Sequence, residues 1–138
     1  MIQRPQSVYL FLGALLVGAL GFFEVLWTSA ASQMLGWFNP AVLGAGTLVI
    51  VIAIAAIFLY RDRKRQLKIV VALQGVLILF LLAMIGGLYM GGTLDQVAGN
   101  VPLIVALALP VLAYVMFWLA RKGIEKDIAL VRSMDRLR

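Results

Sequence analysis

The sequence predicts an all-α, polytopic membrane protein: four transmembrane helices in an antiparallel bundle, followed by an amphipathic C-terminal cytoplasmic helix. Three observations predict it. The 138-residue chain is 64% hydrophobic and 13% charged, against roughly 45–50% and about 25% in soluble domains. A water-soluble domain of this size leaves much of its surface exposed and cannot hide so much apolar side chain. Four apolar runs each reach the roughly 20 residues that a helix needs to cross a bilayer, and none alternates with the period of two that a barrel strand needs. Finally, the basic residues collect beside alternate connections. A single membrane domain is expected over 1–138.

The spans are expected at about 8–27, 41–60, 69–90 and 101–120, with a cytoplasmic tail over 121–138. Asn39-Pro40 and Asn100-Val101-Pro102 look like helix starts, because Asn caps free N–H groups and Pro is tolerated in a first turn. Gly91-Gly92 looks like a helix stop. Tyr9, Trp27, Trp37, Tyr60, Tyr89 and Trp118 fall near the expected interfaces, where amphipathic rings settle at headgroup level. Arg4, the apolar run and Thr28-Ser29-Ala30-Ala31 resemble a signal peptide. The run is longer than such a peptide's apolar region, so the first span is expected to be retained.

The stretch YRDRKRQLK, residues 60–68, concentrates charge in an otherwise greasy chain. All 12 Lys and Arg fall on one side of the four-span plan: Arg4 before span one, Arg61, Arg63, Lys64, Arg65 and Lys68 between spans two and three, and the rest after span four. The loops at about 28–40 and 91–100 contain none. The positive-inside rule then puts both termini and the middle loop in the cytoplasm. A basic isoelectric point also fits nucleic-acid binding, but this cluster is short and lies between two spans, so no nucleic acid is expected. Contact with anionic headgroups is compatible with it.

Glu24 is the lone carboxylate expected inside a span, and Gln74 is a second intramembrane polar group. Ionisable groups in lipid are costly and draw functional suspicion. Ala14, Gly18 and Gly21 form a small-residue rhythm that leads to Glu24, which predicts close approach of another helix there. The bland alternative has Glu24 reaching the outer headgroups. Gln74 is expected to hydrogen-bond across helices as packing glue. Pro110 predicts a kink in span four, on one face with Ala106 and Ala113. Gly87 and Gly91 have GxxxG spacing, which either permits close packing or ends the helix.

The tail RKGIEKDIALVRSMDRLR sorts Ile124, Ile128, Leu130, Val131, Met134 and Leu137 onto one side of a helix. Ion pairs are expected for Arg121–Glu125, Lys122–Glu125 and Arg132–Asp135 by spacing. Such a helix lies on the inner leaflet or docks onto a partner.

Three stretches, MIQRPQSVYL, YRDRKRQLK and the tail, resemble a family of small bacterial inner-membrane proteins catalogued as a domain of unknown function. Its members open with MIQR-x-Q-x-VYL and close with KD-x-x-LVRS-x-DR-hydrophobic-R; Pro5 departs from an aliphatic residue expected there. The resemblance implies four spans and residence in the cytoplasmic membrane, and no activity. It draws attention to Arg132, Ser133, Asp135 and Arg136. With Arg61, Arg63, Lys64 and Arg65, these are the candidate docking or lipid-contact residues.

The chain has no Cys and no His, which removes thiolate metal sites, the commonest general base and the usual haem ligand. No cofactor, metal or enzymatic activity is expected. The expected role is an accessory or scaffold subunit packing with other membrane proteins or with itself. The alternative is a small oligomeric transporter or channel using Glu24.

Overall fold

The computed structural model describes residues 5–137; Arg4, with the MIQR opening, and Arg138 lie outside them. Among the described residues all regular structure is helical. Helix α1 (Pro5–Gly18) tightens into a 3-10 turn (Ala19–Phe22). Two short helices, α2 (Glu24–Trp27) and α3 (Ala30–Met34), precede α4 (Phe38–Phe58). Then come α5 (Arg63–Met90), a second 3-10 turn (Thr93–Gln96) and α6 (Val101–Asp135). Four helical segments, Pro5–Phe22, α4, α5 and α6, are long and apolar enough to cross a membrane.

Each span buries one stripe and turns the rest outward. In α6 the buried stripe is Leu103, Ala106, Pro110, Ala113, Phe117, Ala120 and Ile124, the three-and-four spacing of one helix face. Pro110 lies in that stripe between Ala106 and Ala113, as expected, and α6 continues past it. About a third of each apolar window is buried. The outward remainder includes Phe11, Leu15, Leu79 and Leu82, all at least half exposed. Such outward faces are stable against hydrocarbon and costly against water. Helix α1 packs on α4 and α6, and α5 packs on the same two.

Three fully buried phenylalanines fill the interior, and each sits over a glycine of another helix. Phe117 of α6 covers Gly13 of α1, Phe38 of α4 covers Gly87 of α5, and Phe80 of α5 approaches Gly46 of α4. A methyl group at Gly46 would lie 3.6 Å from the Phe80 ring, an ordinary contact, whereas at Gly13 and Gly87 it would overlap the ring. At Gly91 it would lie 2.5 Å from the Ala31 backbone. Gly87 and Gly91 therefore permit close packing as well as leading into the helix stop.

Several boundaries differ from the sequence expectation. The first span does not run as one helix to Trp27. Gly18 and Gly21 weaken helix there, the chain tightens, and Phe23 breaks it at φ −91°, ψ 89°. The Trp27 indole donates to the Gly21 carbonyl at 3.3 Å. The connection over 28–40 is a small cap rather than a plain loop. Ser29 caps α3 by accepting from the Ser32 amide at 3.2 Å, and the Ala31 amide donates to Thr93 Oγ1 at 3.4 Å. Asn39 does not cap α4, which starts at Phe38; its side chain donates to Ser32 Oγ at 2.9 Å.

Helix α5 begins about two turns before residue 69, because Asp62 caps it and Arg, Lys and Gln are good helix formers. The two expected terminal signals at the other end hold. Gly92, just past the end of α5, has φ +67°, a left-handed conformation that favours glycine. Asn100 caps α6 by accepting from the Leu103 amide at 3.2 Å.

Substituting Gly13→Ala should lower stability in detergent by about 1–3 kcal/mol, the usual cost of overpacking. Gly75→Ala, at a position with nothing within 4 Å of the added methyl, should be neutral or stabilising. Thermal unfolding of the two variants beside the parent checks this; equal losses would refute the packing argument.

Candidate functional site at the basic end of the bundle

Helix α4 ends at Phe58 and the chain turns over Leu59–Asp62 into α5. The turn is closed by the Asp62 amide donating to the Leu59 carbonyl at 3.2 Å. One Asp62 carboxylate oxygen accepts from the Arg65 amide at 3.1 Å; the other pairs with Arg65 Nε at 2.9 Å. The carboxylate is thus spent on starting α5.

Polar contacts then tie the start of α5 to α4 and α6, and α6 to α1. Gln66, fully buried, donates to the Ala56 carbonyl at 2.9 Å. Arg63 donates to the Asp127 carbonyl at 3.4 Å. The buried Gln6 of α1 donates to the Asp127 carboxylate at 3.0 Å. The start of α1, the α4–α5 turn and the C-terminal part of α6 therefore meet at one end of the molecule.

Between the turn and α6 lies an open groove of about 770 Å³. Arg61, Arg63, Lys64 and Arg132 supply its positive charge, and Asp62 and Asp135 its negative charge. Tyr60, Ile128 and Val131 form its apolar part. Among the described residues, none of the four cations is in an ion pair.

The structure thus brings together two sequence stretches that lie some seventy positions apart, YRDRK and the tail motif. Arg65, Ser133 and Arg136 stand outside the groove. Arg65 is held by Asp62, and the Ser133 hydroxyl donates to the Leu130 carbonyl of its own helix at 2.7 Å. Arg136 is the exposed residue that follows α6.

The expected Arg132–Asp135 pair does not form; both side chains are exposed and line the groove instead. The other two tail pairs do form. Arg121 meets Glu125 at 2.8 Å and Lys122 meets it at 3.5 Å. Lys122 also lies 5.8 Å from the Trp118 ring centre. Glu125 lies beyond the apolar run, and the hydrogen bond from Arg121 holds its carboxyl below the usual carboxylate range. The pair is favoured above that range and is lost as pH falls through the lowered value. Past Ile128 the tail's apolar residues leave the bundle: Leu130, Met134 and Leu137 are exposed.

Glu24 and Gln74 lie apart from this groove. Glu24 is not inside the first span's helix. It opens α2 after the break at Phe23 and is exposed, in a first turn where a carboxylate suits the free N–H groups. The small-residue stripe leading to it packs within the chain only in part: Ala14 is buried, Gly18 is exposed but a methyl group there would lie 3.7 Å from Ile50 of α4, and Gly21 is exposed with nothing beside it. Gln74 is buried as expected, yet its Nε2 has no hydrogen-bond partner, so it does not bond across helices. Its neighbours on the buried face, Leu73 and Leu77, are apolar.

Sequence reasoning missed Gln6, Gln66 and the Asp127 anchor. Their signal was spacing: Gln6 is four residues before Leu10, and Gln66 four before Val70, each on its helix's buried face.

The profile of a protein family described as a domain of unknown function (DUF4293) matches residues 2–137. No curated protein and no solved structure matches the chain.

Gln74→Leu should leave stability unchanged or raise it, by up to about 1–3 kcal/mol, because it removes a buried donor without a partner. Denaturation in detergent reads this out, and a clear loss would mean that Gln74 has a partner in the assembled protein.

Proposed function

The chain belongs to the DUF4293 family, a domain of unknown function, and on that premise we propose that it is a non-enzymatic accessory or scaffold subunit of the bacterial inner membrane. Its four spans form an antiparallel bundle, with both termini and the α4–α5 turn in the cytoplasm. The Gln6–Asp127 and Arg63–Asp127 contacts support this threading, since they gather the basic segments at one end. The positive-inside rule turns that end toward the cytoplasm.

One observation carries the accessory role. A cleft of about 170 Å³ opens sideways between the first span and α4, at Gly18, Gly21 and Gly46, with Val17, Val42 and Ile50 around them. Of the small-residue stripe seen in the sequence, Gly18 and Gly21 are therefore exposed at this cleft. Small residues let helix backbones approach closely in lipid, where packing rather than the hydrophobic effect drives association. The occupant is a transmembrane helix of another subunit. Transport through Glu24 is the weaker reading, because Glu24 is exposed and its carboxylate makes no ion pair among the described residues.

The test is Gly21→Leu. Nothing lies within 4 Å of a methyl group added there, so the bundle should keep its stability while the cleft is blocked. Affinity purification of the full chain in mild detergent should return membrane-protein partners with the parent and lose most of them with the variant. Recovery of the parent only as a homo-oligomer, or undiminished partners with the variant, would refute the reading.

A further inference from the structure

We propose that the groove between the α4–α5 turn and α6 is a binding site for the headgroup of an anionic phospholipid, with hydroxyl groups on the headgroup meeting Asp135. The inference rests on the reading of the chain as membrane-spanning, and not on its accessory role.

Charge is the first argument. Arg61, Arg63, Lys64 and Arg132 converge on the groove without an ion pair among the described residues. Asp62 also lines it, but Arg65 and the α5 N-terminus already occupy its carboxylate. The surplus cations have donors matched to phosphate oxygens; guanidinium groups bind these in bidentate fashion. Arg63 is partly fixed in place by its bond to the Asp127 carbonyl, so one of the donors is pre-positioned.

Shape and position narrow the ligand. A volume of about 770 Å³ lies within the range of small-molecule sites, about 300–1,000 Å³, and far exceeds what one phosphate fills. The groove is lined on its apolar side by Tyr60, Ile128 and Val131. Below Tyr60, α4 presents Phe58 and Ile54 outward, 76% and 43% exposed. The groove therefore lies at the level where the exposed apolar surface of α4 ends, within reach of a headgroup at the edge of a bilayer. Asp135 is, among the described residues, the unpaired carboxylate of the site. It accepts hydrogen bonds, which suits hydroxyl donors on a polyol headgroup.

The experiment is native mass spectrometry of the full chain in detergent with added phosphatidylglycerol, phosphatidylcholine or glycerol phosphate. The parent should retain phosphatidylglycerol well above phosphatidylcholine, and glycerol phosphate should not displace it. The double variant Arg61→Ala/Arg132→Ala should weaken phosphatidylglycerol binding roughly thirtyfold, from the usual contribution of two basic residues near a lipid surface. Both positions are exposed, so the fold is expected to survive. Lys126→Ala removes an exposed charge outside the groove and should change binding little. Equal losses in the double variant and Lys126→Ala would overturn the proposal, as would equal retention of phosphatidylcholine. Displacement by glycerol phosphate would assign the site to a soluble phosphate compound instead. Loss of protein partners from the double variant with lipid retention intact would assign it to an acidic protein segment. Gly21→Leu should leave lipid retention unchanged, which separates failure here from failure of the accessory reading.

Discussion

Phenylalanine rings seated over glycines set the spacing on which the rest of the bundle depends. In hydrocarbon each helix satisfies its own backbone, so helices hold together through contact between side chains and exposed backbone rather than by escape from water. Gly13, Gly46 and Gly87 let the Phe117, Phe80 and Phe38 rings lie close to a neighbouring helix. Phe117 on Gly13 joins α6 to α1, and Phe38 on Gly87 with Phe80 on Gly46 joins α4 to α5; the two pairs then pack against each other through α1 on α4 and α5 on α6. The alanines in the α6 stripe, Ala106, Ala113 and Ala120, serve the same close approach with smaller groups.

The two ends of the bundle are built from different chemistry. At one end Ser29, Ser32, Asn39 and Thr93 fasten a small helical cap with uncharged hydrogen bonds. At the other, Gln6, Arg63, Gln66 and Asp127 fasten the helices beside a surplus of cations. The first end carries no Lys or Arg in its connections, and the second carries nearly all of the molecule's charge. The asymmetry is one of charge as well as of fastening, with the cations gathered at a single end.

The four spans were legible because an unbroken apolar run of helical length suits hydrocarbon and little else. Their edges were less so, because hydropathy measures where lipid ends and not where the helix ends. Asp62 begins α5 within the basic stretch, and a reading by N-cap chemistry would have found it. The break at Phe23 was harder to see: Gly18 and Gly21 suit close packing as well as they suit helix disruption, and only the neighbours decide between the two. Glu24 moved from span interior to short-helix start on that account. For the groove, both of its sequence stretches stood out separately. Their meeting depends on α6 continuing past the apolar run beside the turn, which charge and periodicity alone do not fix.

That continuity has a structural consequence. Helix α6 comprises 35 residues without interruption, a rod of about 50 Å at the usual rise per residue. Its far portion carries exposed Leu130, Met134 and Leu137, and its near portion holds Phe117 against Gly13. The exposed portion and the ring-on-glycine seat thus lie on one unbroken helix, with no loop to separate them.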